Sequence, residues 1–232
     1  MKYEKILAER PDKVIYKDGE NALKVFNSNY SKADILNEAL NQARVEETGL
    51  NIPALNQVTM IDGQWVISTK FIEGKTLAQL MDENPEKLDE YLNLFVDLQL
   101  EMNKETVPLL NKLKDKMNRK ISESGYDATT RYELHTRLES MPKHNKVCHG
   151  DFNPSNVIVG KNGKMTVVDW AHATQGNASA DAAMTYLLFA LKDQETADLY
   201  LKLFCKKSDT ARQYVQPVSY THLRAHETLR DL

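Results

Sequence analysis

The chain is poor in cysteine: Cys148 and Cys205 are its only two in 232 residues. So few, so far apart, exclude a disulfide framework and fit a reducing compartment. Long apolar runs are missing too. The longest near-continuous one, around "MTYLLFAL", is far short of the ~20 residues a membrane span needs. The N-terminal "MKYEKILAERPDK" has no apolar stretch of the signal-peptide kind, so a cytoplasmic location without membrane contact is expected. Nor is there an excess of one charge. A formal net charge of −3 gives no global basic field for nucleic acid, while leaving room for an anion held locally.

What is present is ordinary for a soluble globular chain: 41% hydrophobic and 27% charged residues, long enough to bury a sizeable core. Residues 1 to 72 read as β-rich with one helix. "KVIY" and "ALKVF" flank a turn at Asp18-Gly19, and "QVTMID" and "QWVISTKFI" flank another at Asp62-Gly63. Between these pairs, "SKADILNEALNQARVEETG" predicts a helix. Ser31 stands as its cap with Asp34 three residues on, Ile35, Leu36, Ala39, Leu40 and Ala43 form its apolar stripe, and Gly49 stops it. From about Glu73 the pattern turns helical. Asn84-Pro85 opens a helix carrying Leu88, Leu92, Phe95, Leu98 and Met102, and more polar, basic helices follow over 107–121 and 128–140. The expected fold class is α+β, with a nucleotide-binding lobe over 1–72 and a mainly helical lobe over 73–216.

One segment interrupts the helices. In "VCHGDFNPSNVIVGKNGKMTVVDW", residues 147 to 170, the strand Val157–Val159 leads through Asn162-Gly163 to a return strand from Met165 to Val168. Folding it back sets Asn156 beside Asp169, because paired strands lie roughly 5 Å apart. An amide oxygen and a carboxylate are hard ligands suited to Mg²⁺, which usually takes one or two carboxylates from protein and fills the rest with phosphate and water. Asp151, on the loop entering the hairpin, is placed to orient a hydroxyl and accept its proton. A base and two metal ligands in this order suit phosphoryl transfer to an alcohol, where positioning and charge neutralisation supply most of the effect.

"HGDFNPSN" followed by "VVDW" resembles the catalytic and metal-binding motifs of the aminoglycoside phosphotransferase / choline kinase-like family, which has the protein-kinase-like fold. The similarity spans about residues 10 to 195. It implies Asp151 as catalytic base and Asn156 and Asp169 as Mg²⁺ ligands, with His149 supporting the loop. It also implies Lys24, in "ALKVF", as the strand lysine holding ATP phosphates, and Glu38 as its ion-pair partner. Lys70, Phe71 and Ile72 match the connection whose backbone meets the adenine, Ile158 and Val168 match the pocket floor, and Asp181 matches a downstream structural Asp. ATP is the implied nucleotide, with GTP as the alternative. The partner is a small hydroxyl acceptor such as an aminoglycoside, choline, a sugar or homoserine, and no obligate protein partner is evident.

Departures from the pattern matter. No G-x-G-x-x-G precedes Lys24. Only eleven residues separate Asp169 from Asp181, which leaves no room for a protein kinase's peptide platform. A zinc site from His144, Cys148, His149 and Asp151 is disfavoured because adjacent strand residues point opposite ways, and Ser155 lacks the G-x-S-x-G setting of a hydrolase. The second function kept open is a nucleotide-binding, non-catalytic module of the same fold. The final "PVSYTHLRAHETLRDL" reads as non-native read-through from about residue 217, which would leave the helical lobe truncated.

Overall fold

The computed structural model describes residues 3–215. They form two compact units, one made of residues up to Glu83 with Pro154–His172, the other of Asn84–Asn153 with the residues from Ala173. The hairpin and the segment 73–83 therefore group with the N-terminal strands, where the sequence reading drew its line after residue 72. The stretch from 217 lies outside the described residues.

The first unit opens with β1 (Lys5–Glu9), β2 (Lys13–Asp18) and β3 (Asn21–Phe26), then helix α1 (Lys32–Glu46), β4 (Leu55–Ile61) and β5 (Gln64–Lys70). The five strands make one antiparallel sheet in the order β1-β2-β3-β5-β4. Both predicted turns form. Gly19 (φ +57°) takes the left-handed region in one, and Asp62 (φ +49°) with Gly63 (φ +79°) do so in the other, the requirement of a two-residue I′ hairpin. Side chains alternate across the sheet. On one face Phe26 and Ile67 pack with Ile35 and Ala39 of α1, and on the other Leu23, Val25 and Val66 form a separate cluster. Lys24 shares the α1 face with Phe26 by this alternation.

Helix α1 does not bury the expected stripe. Leu36 and Leu40 are exposed, while Ile35, Glu38, Ala39, Asn41, Gln42 and Val45 are buried. The polar members are there because each has work: Asn41 Nδ2 donates to the Ala171 carbonyl (3.2 Å) and Gln42 Nε2 to the Pro53 carbonyl (2.5 Å). Ser31 occupies the cap position without a side-chain capping bond.

After β5 come a short β6 (Lys75–Thr76) and α2 (Leu77–Glu83). In the second unit, Asn84-Pro85 opens a 3-10 turn over Pro85–Lys87 rather than the long helix, which begins at Leu88 as α3 (Leu88–Met102). Next are α4 (Leu113–Glu123), α5 (Ala128–Ser140) and strand β7 (Lys146–Cys148). Residues 107–112, expected as helix, are not helical. The first unit resumes with the hairpin, β8 (Val157–Val159) and β9 (Met165–Val167), and β6 pairs onto β8. The chain then supplies the second unit with β10 (Thr174–Gly176), which pairs with β7, then α6 (Ala178–Ala190) and α7 (Gln194–Ser208). Its core is aromatic: Phe95 stacks on Phe152 with centroids 4.3 Å apart and meets Phe189 and Tyr200 edge-on. A smaller cluster of Met117, Ile121, Leu134 and Leu138 joins α4 to α5. Among the described residues no helix is long and apolar enough to cross a membrane.

Candidate active site

In the first unit the sheet delivers Lys24 to α1. Its Nζ pairs with Glu38 Oε1 and also donates to Asp169 Oδ1 at 2.9 Å. Burial alone would lower the Lys24 pKa, but the carboxylates of Asp169 and Glu38 outweigh it and hold the group above its ordinary value. The ammonium is thus fixed in its charged form. Lys13 brings a second cation, its Nζ 4.0 Å from Asp169 Oδ2. Motif spacing alone did not single out Lys13; its place on β2, next to β3, would have been the signal.

The hairpin sets the second half of this arrangement. Val157 pairs with Val167, and the Val168 N–H continues the ladder by donating to the Asn156 carbonyl at 2.9 Å. Asn156 therefore sits across from Val168, one residue before Asp169. The hairpin end is wider than a two-residue turn. The Gly160 N–H donates to the Lys164 carbonyl, Gly163 alone is left-handed (φ +76°), and the Asn162 side chain accepts from the Lys164 N–H instead of lying in a I′ turn. At the other end Asp169 takes φ +65°, a region that costs a non-glycine residue energy and that Asp tolerates better than most. That kink breaks the strand alternation where the carboxylate meets Lys24.

Two asparagines anchor the ribbon to the rest of its unit. Asn51 Nδ2 donates to the Met165 carbonyl and to Thr166 Oγ1, both at 2.6 Å, and Asn41 holds the Ala171 carbonyl. Gly74 allows the close approach of β6 to β8: a Cβ there would lie 2.3 Å from the Val159 carbonyl oxygen and 2.9 Å from Ile158 Cγ2. Neither anchor nor glycine stands out in the sequence.

The remaining first-unit candidates lie around this centre. Ile158 pairs with Thr166, so it shares a ribbon face with Val168, one diagonal step away. Lys70 pairs with Asn21, three residues along β5 from Ile67, the partner of Lys24, which is about 10 Å. The Lys70 and Phe71 N–H groups donate to the Ala54 and Glu20 carbonyls (2.8 and 2.7 Å), and Ile72 follows, half-buried. Among the described residues no cluster of three His, Cys, Asp or Glu side chains could hold a metal, so any cation here would rely on the mixed Asn156 and Asp169 oxygens.

Asp151 belongs to the second unit, where a buried network shapes its loop. Gly150 is left-handed (φ +79°), and its N–H donates to Asp181 Oδ1 at 2.8 Å. Asp181, almost wholly buried in the first turn of α6, also receives Gln99 Nε2 at 3.4 Å, and Gln99 Oε1 accepts from the Tyr200 hydroxyl at 2.6 Å. Thr185 Oγ1 donates to the Phe152 carbonyl at 2.9 Å. His149 is fully buried, accepts from the Asp151 N–H through Nδ1 at 3.3 Å and lies edge-on to Phe152. Asn153 Nδ2 donates to the Asp151 carbonyl (3.0 Å) and to Oδ1 (3.1 Å), orienting the carboxylate. Cys148 is buried, and burial pushes its thiol pKa well up, as for an inert small hydrophobe. A cavity of about 460 Å³ also lies in this unit, among α4, the 139–145 segment and the start of α6, and none of the predicted site residues lines it.

A strand lysine ion-paired to a helix glutamate and to the Asp that closes a hairpin defines the class: an α+β, kinase-like phosphotransferase fold. Residues 13–214 match the phosphotransferase enzyme family (APH), and the chain belongs to that family. Solved structures with the same fold include a thermostable mutant of aminoglycoside phosphotransferase APH(4)-Ia in a ternary complex with AMP-PNP and hygromycin B. It has a TM-score of 0.67 at 15% identity over 97% of this chain and 92% of that one. Aminoglycoside-3'-phosphotransferase of type VIII gives 0.63 at 15%, over 90% and 88%. Aminoglycoside phosphotransferase APH(3'')-Id from Streptomyces rimosus gives 0.60 at 14%, over 95% and 92%. At such identities the likeness is one of fold. No curated protein matches the sequence.

Proposed function

We propose that the protein transfers the γ-phosphate of ATP to a hydroxyl group of a small molecule. The observation that carries this reading is the Lys24 ammonium held charged between Glu38 and Asp169, with Asn156 one ladder step from Asp169. A fixed cation neutralises phosphate oxygens without reorganising, which is where much of the rate of phosphoryl transfer originates. Asp169 and Asn156 fit Mg²⁺, because one carboxylate and one amide oxygen match its preference for hard oxygen donors, and the ion would add neutralisation of the β- and γ-phosphates. Lys70, Phe71 and Ile72 are assigned to the adenine, and Ile158 and Val168 to the floor beneath it. The neighbour crystallised with AMP-PNP supports a nucleotide of this kind.

Asp151 is the assigned base. It accepts the acceptor's hydroxyl proton as the new O–P bond forms and the bond to the β-phosphate oxygen breaks, leaving ADP and a phosphate monoester. His149 and Asn153 hold its loop and carboxylate. In this reading residues 1–72 form the nucleotide-binding lobe, and residues 73–216 supply the base, the metal ligands, the pocket floor and the acceptor site. Calorimetric titration of AMP-PNP with and without Mg²⁺, paired with ADP release across a panel of hydroxyl compounds, tests the proposal. Mg²⁺-dependent binding with acceptor-dependent ADP release is expected. Tight binding without transfer to any compound would instead make the chain a nucleotide-binding module.

A further inference from the structure

The chain from Lys5 to Asp18 contains no glycine, and β1 is joined to β2 by Arg10, Pro11 and Asp12 alone. A backbone cradle for phosphate needs several N–H groups aimed at one spot. This turn has few to give. The Arg10 N–H donates to the Lys13 carbonyl at 2.9 Å, and Pro11 has no N–H. The turn is also pinned from below. Asn27 holds the Pro11 carbonyl through Nδ2 (3.1 Å) and the Asp12 carbonyl through its own N–H (3.0 Å). Re-forming it around an anion would break those bonds.

What the turn delivers instead is a side chain. Lys13 pairs with Phe26 of β3, and Ile15 pairs with Lys24. Lys13 and Lys24 are therefore diagonal neighbours on one face of the sheet, about 7–8 Å apart. Their ammonium groups converge on one carboxylate: Lys24 Nζ lies 2.9 Å from Asp169 Oδ1, and Lys13 Nζ lies 4.0 Å from Oδ2. Lys24 has Glu38 as a second acid, so it stays answered whatever Asp169 holds. For Lys13 the long contact with Asp169 is one that a closer phosphate oxygen can replace. Its side chain is only 16% exposed, drawn in beside Asp169 rather than extended into water. The neighbouring cations are placed otherwise. Arg10 is exposed, with Nη1 donating to the Glu9 carbonyl at 3.4 Å, and Lys17 is paired with Glu4 Oε2 at 2.5 Å.

We propose that Lys13 binds the β- and γ-phosphates of the nucleotide alongside Lys24. It supplies through a side chain the neutralisation that a glycine-rich loop supplies through its backbone. This rests on the phosphotransferase reading above and adds a residue to its nucleotide site.

The test titrates AMP-PNP, ADP and adenosine calorimetrically, each with Mg²⁺, into wild type, Lys13→Met and Lys13→Arg, with urea midpoints to check that all three fold. Lys13→Met should weaken AMP-PNP about 10–100-fold, the size of one charge-assisted contact, and ADP by less. Adenosine, which has no phosphate, should bind the variant as it binds the wild type. Lys13→Arg keeps the charge and should recover most of the AMP-PNP affinity. Unchanged AMP-PNP affinity in Lys13→Met, or an equal loss for adenosine, would overturn the inference and reduce Lys13 to a partner of Asp169. Phosphate transfer by the wild type in that case would leave the phosphotransferase reading standing. A loss confined to the phosphate-bearing ligands, in a protein that transfers phosphate to no hydroxyl compound, would uphold Lys13 and sink the kinase. A wild type that binds none of the three would overturn both.

Discussion

Lys24 and Lys116 are both lysines that the fold withdraws from water, and they respond in opposite ways. Lys24 meets two carboxylates, so its ammonium is more firmly protonated than in water. Burial and then the charges of Lys120 and Arg119 act on Lys116 and outweigh the pull of the Asp151 carboxylate, so its pKa falls to about 8. The difference shows what burial alone does not determine. Desolvation acts on both in the same direction, and the sign of the outcome is set by neighbouring charges. A lysine completed by the protein's own acids reads as permanent machinery, ready for phosphate at any neutral pH. A lysine crowded by like charges is held less firmly in its charged form.

The largest effect that would sharpen this comparison lies at the base rather than at either lysine. Asp151→Asn should lower turnover about 10²–10⁴-fold, the range of a general base, while AMP-PNP binding stays near wild type by calorimetry. Next comes Lys24→Met, which leaves Glu38 and Asp169 facing each other without their shared cation. Breaking a buried pair in this way costs about 3–5 kcal/mol, read as a drop in the urea midpoint, and nucleotide binding should fall with it. Gly74→Ala should cost about 1–3 kcal/mol by overpacking, because its Cβ would collide with the Val159 backbone rather than with a side chain that can swing away.

The smallest effect is on pH dependence, and here the two lysines should separate cleanly. The Lys24 pKa is raised on folding, so its contribution to stability is fully present below about pH 10.4 and is lost only as pH climbs through its higher folded value. The Lys116 pKa is lowered on folding, so the folded state is penalised below pH about 8 and recovers between there and the ordinary lysine range. Urea midpoints at pH 7 and pH 9.5 should therefore converge in Lys116→Gln relative to wild type. An unchanged difference between the two pH values would mean that Lys116 is not crowded as described.

How much of this was legible in the sequence follows from how local each feature is. The Asn156–Asp169 juxtaposition needs only a hairpin register, and Lys24 facing α1 needs only strand alternation beside Phe26. Both turns of the large sheet announce themselves through Asp-Gly pairs. The buried face of α1 was misread because apolar spacing favours Leu36 and Leu40, while the actual face is chosen by polar bonds from Glu38, Asn41 and Gln42 to partners remote in sequence. β1 is an edge strand with mostly exposed side chains, and β7 and β10 are three residues each, too short to show a period. The Gly150–Asp181–Gln99–Tyr200 network draws on four separate segments, so only Asp181 could be singled out, and only through the family resemblance. The basic stretch of α4 was visible as composition, but which of its faces is buried depends on Met117 and Ile121 packing against Leu134 and Leu138 of α5.

The most direct test of the central claim follows γ-labelled ATP in wild type and Asp151→Asn side by side, with Mg²⁺ and a hydroxyl acceptor. The expected result is label in a phosphate monoester for the wild type, transfer slowed at least about 100-fold in the variant, and equal nucleotide binding in both. Label transferred by the variant at the wild-type rate would contradict it.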